Sequence, residues 1–152
     1  MHTRRDILRH SAAVAGLLAT AGLLPREALA AWNQSAFEAK NVNDAVKALG
    51  AGAPAESKDV TLTAPDIAEN GAVVPFTIAT TLPNVKFMAL LVEKNPNVLA
   101  AKFDVTPAIE ANFGTRAKMG QSSDVYAVAI TNDGKALYAK KEVKVTLGCC
   151  GG

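Results

Sequence analysis

From Asp59 onward the chain breaks into short runs in which apolar and polar residues alternate, the period of a half-buried strand. Val60 and Leu62 alternate with polar neighbours, and Val74, Phe76 and Ile78 do the same after Asn70-Gly71. Val85 to Val92 is apolar almost throughout and predicts a central strand, after which Asn95-Pro96-Asn97 turns the chain. Leu99, Ala101 and Phe103 place Lys102 and Asp104 on the opposite face, and Phe113, Thr115, Ala117 and Met119 turn Arg116 and Lys118 outward. Tyr126, Val128 and Ile130 lead into Asn132-Asp133-Gly134-Lys135, a strong hairpin signal. The last strand is expected from about Leu137 to Leu147, with Val143, Val145 and Leu147 alternating with Lys144 and Thr146. About seven strands at regular spacing predict an all-β fold, an antiparallel β-sandwich. Ala36 to Leu49 predicts the only helix: Val42, Val46 and Leu49 share a face and Gly50 stops it. Trp32 and Phe37 are expected to pin this segment to the core. There is no internal repeat.

The residues ahead of this pattern belong to a different class. Thr3-Arg4-Arg5-Asp6-Ile7-Leu8-Arg9 is a twin-arginine stretch, Ser11 to Leu24 is a small-apolar run, and Ala28-Leu29-Ala30 is a small-x-small cleavage site. The apolar run falls short of the roughly 20 residues that a membrane span needs. Residues 1–30 are therefore expected to be a twin-arginine signal peptide, with a mature chain that begins at Ala31 in the periplasm. Its removal leaves 12 basic and 12 acidic residues, so the mature charge is balanced and gives nucleic acid no basic surface. Both histidines, His2 and His10, leave with it. That excludes a Ser-His-Asp triad, a Cys-His dyad and any histidine metal site. No haem-attachment, dinucleotide or Walker motif is present either. The twin-arginine route carries folded proteins, often for a cofactor or a travelling partner, so a partner is the more economical expectation here.

The chemistry is concentrated at the other end. Gly148-Cys149-Cys150-Gly151-Gly152 holds both cysteines of the protein. Glycine brings no side chain to bury and loses the most entropy on ordering, so residues 148–152 read as a flexible arm beyond a domain of residues 31–147. A disulfide between neighbouring cysteines closes an eight-membered ring over a distorted or cis peptide bond and staples nothing. Two thiolates without further ligands make a poor zinc site. The pair reads as exposed functional thiol. A free thiol has a pKa near 8.5, and neither a helix N-terminus nor a histidine in the tail lowers it, which fits a carrier better than an enzyme. The carboxylates Asp66, Glu69, Glu93, Asp104 and Glu110 read as solvated charges, Ser122-Ser123-Asp124 as turn chemistry, and Lys140, Lys141 and Lys144 as a solvated strand face.

With these features in place, the sequence resembles the SoxY family, the sulfur-carrier subunits of the periplasmic thiosulfate-oxidising Sox system. The resemblance spans essentially the mature chain. It rests on the leader, on Thr61 to Gly71, on Leu90 to Pro96, on Met119 to Tyr126, and above all on the end, which is similar to the family's Gly-Gly-Cys-Gly-Gly terminus. Counted from the C-terminus, Cys150 falls on the carrier cysteine. The resemblance implies an immunoglobulin-like sandwich and a heterodimer with a SoxZ-like subunit that lacks its own signal. It implies covalent attachment of thiosulfate-derived sulfur at Cys150, with Gly148, Gly151 and Gly152 supplying arm flexibility. It implies no cofactor in this chain: haem belongs to a SoxXA-like enzyme that loads the thiol, manganese to a SoxB-like hydrolase that releases sulfate, and molybdenum to a sulfane dehydrogenase. Cys149, a second thiol, stands where the family has glycine. Rival readings are a small thiol–disulfide oxidoreductase using Cys149-Cys150, and a structural sandwich dimerised through its tail.

Overall fold

The structure, a computed structural model, describes residues 33–146. Two short helices, α1 (Gln34–Glu38) and α2 (Val42–Ala48), precede the strands. These are β1 (Ala55–Glu56), β2 (Val60–Thr63), β3 (Ile67–Ala68), β4 (Val74–Thr80), β5 (Val85–Val92), β6 (Leu99–Asp104), β7 (Asn112–Ala117), β8 (Ser123–Thr131) and β9 (Ala136–Val145). The larger sheet has the order β1-β9-β8-β5-β6, with β3 also on the outer edge of β9; the smaller is β2-β4-β7. The result is an immunoglobulin-like β-sandwich whose seven longer strands match the sequence expectation.

β5 shows why the sandwich has three layers. Met88, Leu90 and Val92 point into the space between the sheets, where they meet Phe76, Ile78, Met119, Val125 and Val143. Phe87, Ala89 and Leu91, on its other face, join Val128 and Ile130 beneath the helices, against Ala36, Ala45 and Val46. A strand buried on both faces needs an unbroken apolar run, and Val85–Val92 supplies one. Each fully buried Leu or Met side chain contributes about 1.5–3 kcal/mol.

Two expectations change in detail. The helix of residues 36–49 is two helices, because Ala39 turns extended (ψ 137°) and Asn41 caps a new start by accepting the Asp44 N–H at 2.8 Å. Asparagine's side chain competes for backbone donors and so favours a cap over a helix interior. The break is useful, since the Ala39 carbonyl then accepts the Val98 N–H of the β5–β6 connection. Phe37 is half-buried against the helix-side core, as expected; Trp32 lies outside the described residues. Gly50 closes α2 with φ +84°, its N–H bonded to the Lys47 carbonyl, and Gly134 takes φ +83° in the β8–β9 hairpin. The sandwich is also not wholly antiparallel: β1 and β3 each add two residues parallel to β9, at Leu137–Tyr138 and at Lys144–Val145.

Candidate functional site

The sequence directs attention to the end of β9, because the last strand carries the cysteine segment. Gly148, Cys149, Cys150, Gly151 and Gly152 lie outside the described residues, as does Leu147. What the structure shows is how the chain is held just before them. The strand ends at Val145, two residues short of the expected Leu147.

On one side of that end runs segment 64–73. Its carbonyls at Asp66 and Ala68 accept the N–H groups of Lys144 (3.0 Å) and Thr146 (3.1 Å), and Glu69 accepts the Thr146 hydroxyl at 3.2 Å. Lys141 fastens the same segment by donating to the Ala64 carbonyl and by an ion pair of 2.9 Å with Asp66. The lysine's hydrogen bond, reinforced by its charge, holds the Asp66 carboxyl below the usual aspartate value. On the other side Ser122 Oγ accepts the Val145 N–H at 2.9 Å. The neighbouring Ser123, buried, accepts the Lys94 N–H and donates to the Asp124 carbonyl, tying the β5–β6 turn to the start of β8. Side chains and backbone from two segments thus hold Lys144, Val145 and Thr146, the last described residues before the cysteine segment.

The face of β8 and β9 beside this clamp carries a small polar array. Tyr126 and Tyr138 pack with ring centroids 5.5 Å apart. Lys140 lies 6.0 Å from the Tyr126 ring and bonds Asp124 at 3.2 Å, and this bond holds its proton above the ordinary lysine range. Burial, then the nearby Glu93 carboxylate, pushes the Tyr126 phenol upward. Of the lysines read as a solvated face, Lys140 and Lys141 are therefore committed to local carboxylates, while Lys144 is exposed. The scattered carboxylates are not gathered into a site: Asp66 serves Lys141, Glu93 the Tyr126 hydroxyl, and Asp104 the Lys102 ammonium, while Glu69 and Glu110 are exposed. Among the described residues no group of three His, Cys, Asp or Glu side chains is placed to hold a metal ion. No described helix is long and apolar enough to cross a membrane.

Sequence reasoning took the serines for turn formers and missed that Ser122 grips β9. The hydroxyl sits 23 residues before its partner amide, and no local spacing announces such a bond. It also missed that the clamping segment exposes two large apolar side chains, Ile67 and Val73, at 57% and 55%.

The sequence matches the model of the SoxY sulfur oxidation proteins over residues 45–150, a span that includes both cysteines. The chain belongs to the SoxY family. A solved SoxY, described as the sulfur carrier protein from Chlorobium limicola f thiosulfatophilum, is 34% identical over 70% of this chain and 97% of that one, with a TM-score of 0.63. A superoxide reductase (neelaredoxin) from Ignicoccus hospitalis shares the sandwich at 21% identity and a TM-score of 0.50, over 57% of this chain and 79% of that one. That likeness is one of fold alone. No curated protein matches the sequence.

Proposed function

We propose that the chain is a covalent sulfur carrier of thiosulfate oxidation, with Cys150 as the attachment point. The observation that carries this reading is membership of the SoxY family over a span that reaches residue 150. The clamp at Thr146 supports it. A carrier needs a rigid handle, and among the described residues the anchored backbone reaches Thr146, four residues before Cys150. The six residues beyond it extend to at most about 20 Å.

In this reading the Cys150 thiolate and thiosulfate are joined through an S–S bond, and two electrons pass to a haem-bearing SoxXA-like enzyme. Water then attacks the outer sulfone on a dimanganese SoxB-like hydrolase, giving sulfate and two protons and leaving a persulfide on the arm. A molybdenum sulfane dehydrogenase, where the pathway has one, oxidises the sulfur that remains. The carrier contributes no catalytic group; glycines 148, 151 and 152 let the thiol enter each partner. Export by the twin-arginine route, cleavage after Ala30 and pairing with a SoxZ-like subunit complete the proposal. Exposed Ile67 and Val73 beside the clamp are suited to a protein contact near the arm.

The test is reconstitution with the partner subunit and enzymes. Cys150→Ser is expected to remove both the thiosulfate adduct and sulfate release. Sulfate release at the wild-type rate by Cys150→Ser, or a reversible dithiol couple with no thiosulfate adduct, contradicts the carrier assignment.

A further inference from the structure

The outer edge of β7 is left without a partner strand by the sandwich. We infer that this edge is self-complementary and pairs with β7 of a second copy, joining the two smaller sheets antiparallel about a two-fold axis at Gly114. The inference goes beyond the carrier reading and does not depend on it.

The first support is that β7 is the one edge left unprotected. Among the described residues the two sheets have four edges, and three are blunted. β1 and β3 cover parts of β9. β6 carries an extra residue at Ala100, where its register against β5 shifts, and Lys102, whose ammonium lies 4.6 Å from the centre of the Phe87 ring and pairs with Asp104. β2 is only four residues long. β7 has none of these devices: Asn112–Ala117 runs regularly against β4, with no proline and no bulge. Its backbone is also ready to pair. The Thr80 N–H bonds the Ala111 carbonyl, so the alternate residues Phe113, Thr115 and Ala117 bond β4, while Gly114 and Arg116 turn N–H and C=O outward. A Cβ at Gly114 would meet nothing within 4 Å, so no neighbour shields the middle of the edge.

The second support is the order of charges along the strand, which selects a second copy. Glu110 precedes β7, Arg116 lies in it and Lys118 follows it; all are exposed, and none has an ion-pair partner among the described residues. With Gly114 opposite Gly114, Asn112 faces Arg116, and Glu110 of each copy comes opposite Lys118 of the other. The two Gly114 residues exchange N–H···O bonds, and each Arg116 N–H reaches the other copy's Asn112 carbonyl. The Asn112 N–H stays on its own Glu110 carbonyl at 2.8 Å. Sliding the centre to Arg116 opposes arginine to itself, and like charges directly opposite are destabilising. Sliding it to Asn112 takes Glu110 to Gly114 and away from Lys118. Phe113, half-buried and stacked on Phe103 with centroids 4.8 Å apart, is set against Thr115 of the other copy and loses more of its exposure. A partner of unrelated sequence has no reason to match this palindromic order, whereas a second copy matches it necessarily. Within one chain the length of β7, about 20 Å, separates Glu110 from Lys118, too far for an ion pair.

The experiment uses the full-length mature protein with both cysteines alkylated, so that no disulfide joins two chains. Sedimentation equilibrium from about 1 μM to about 1 mM is combined with amide hydrogen exchange at both ends of that range. The wild type is expected to pass from monomer to dimer, with the Gly114 and Arg116 amides protected only in the dimer. Gly114→Pro removes an N–H on the outward side of an edge strand, where proline is tolerated, and is expected to keep its circular dichroism and stay monomeric. Glu110→Lys and Lys118→Glu are each expected to raise the dimer dissociation constant about tenfold, and the two together to restore it. If Gly114→Pro does not fold, this charge swap decides. A wild type that stays monomeric throughout overturns the inference. A dimer whose Gly114 amide exchanges as fast as in the monomer overturns it too, because the contact then lies elsewhere. A double swap that recovers no affinity overturns the antiparallel register. Protection of Gly114 only after a SoxZ-like subunit is added, with the chain alone monomeric, overturns it in favour of a heteromeric edge. None of these outcomes touches sulfur attachment at Cys150.

Discussion

Replacing Ser122 with alanine isolates one half of the clamp. The substitution removes the acceptor for the Val145 N–H, a 2.9 Å bond, and leaves the other half, from segment 64–73, in place. A side-chain hydrogen bond of this kind contributes about 0.5–1.5 kcal/mol net. Val145 is only half-buried, so water can reach the freed amide and the loss belongs near the middle of that range, about 1 kcal/mol. That is roughly fivefold in an opening equilibrium, since 1.4 kcal/mol is tenfold. Amide hydrogen exchange of Ser122→Ala is therefore expected to speed up about fivefold at Val145, with much smaller changes at the centre of β9 where β8 pairs with it. The melting temperature should fall by about 4 °C. Ser123→Ala is the control. Its hydroxyl is buried and serves Lys94 and Asp124, so it should lower global stability at least as much without singling out Val145. Unchanged exchange at Val145 in Ser122→Ala, or equal acceleration along all of β9, refutes the clamp.

Other expectations follow from the same geometry. Leu90→Ala and Leu91→Ala should each destabilise by about 2–5 kcal/mol, because these neighbours fill different cores, and a urea titration that finds either one neutral contradicts the two-sided burial of β5. Asp66→Asn should lower the melting temperature at neutral pH, and the difference from wild type should vanish as pH falls through the depressed Asp66 pKa, below the ordinary aspartate value; the sign follows because a lowered carboxylate pKa stabilises only while the group is ionised. A difference that persists in stronger acid means the carboxylate's charge is not what holds segment 64–73. Tyrosine absorbance should show Tyr126 ionising above the ordinary tyrosine range, and moving part of the way back toward it in Glu93→Gln.

Much of the sandwich was legible in the sequence because strands β4, β5, β6 and β8 announce themselves by side-chain period, which is a local property. Val74, Phe76 and Ile78 alternate because one face of β4 meets the core, and the apolar run at Val85–Val92 reports a strand covered twice. β1 and β3 were not legible. Two residues carry no period, and these become strands only because the outer edge of β9 offers them backbone partners. The helix break at Asn41 was readable in principle from its capping chemistry, but the periodicity of Val42, Val46 and Leu49 masked it. At the site, the cysteine pair and its glycines were plain from composition alone. The clamp on the strand end before them was hidden, because Ser122, Ala68 and Lys141 meet β9 or segment 64–73 only through long-range contacts.

The most direct measurement is the intact mass, with peptide mapping, of the mature protein taken from cells oxidising thiosulfate. The carrier account predicts a chain beginning at Ala31 with sulfur or sulfone adducts in the C-terminal peptide, dependent on Cys150 and lost in Cys150→Ser. A C-terminal peptide that stays free of added sulfur while thiosulfate is consumed, or adducts that survive Cys150→Ser unchanged, would contradict it.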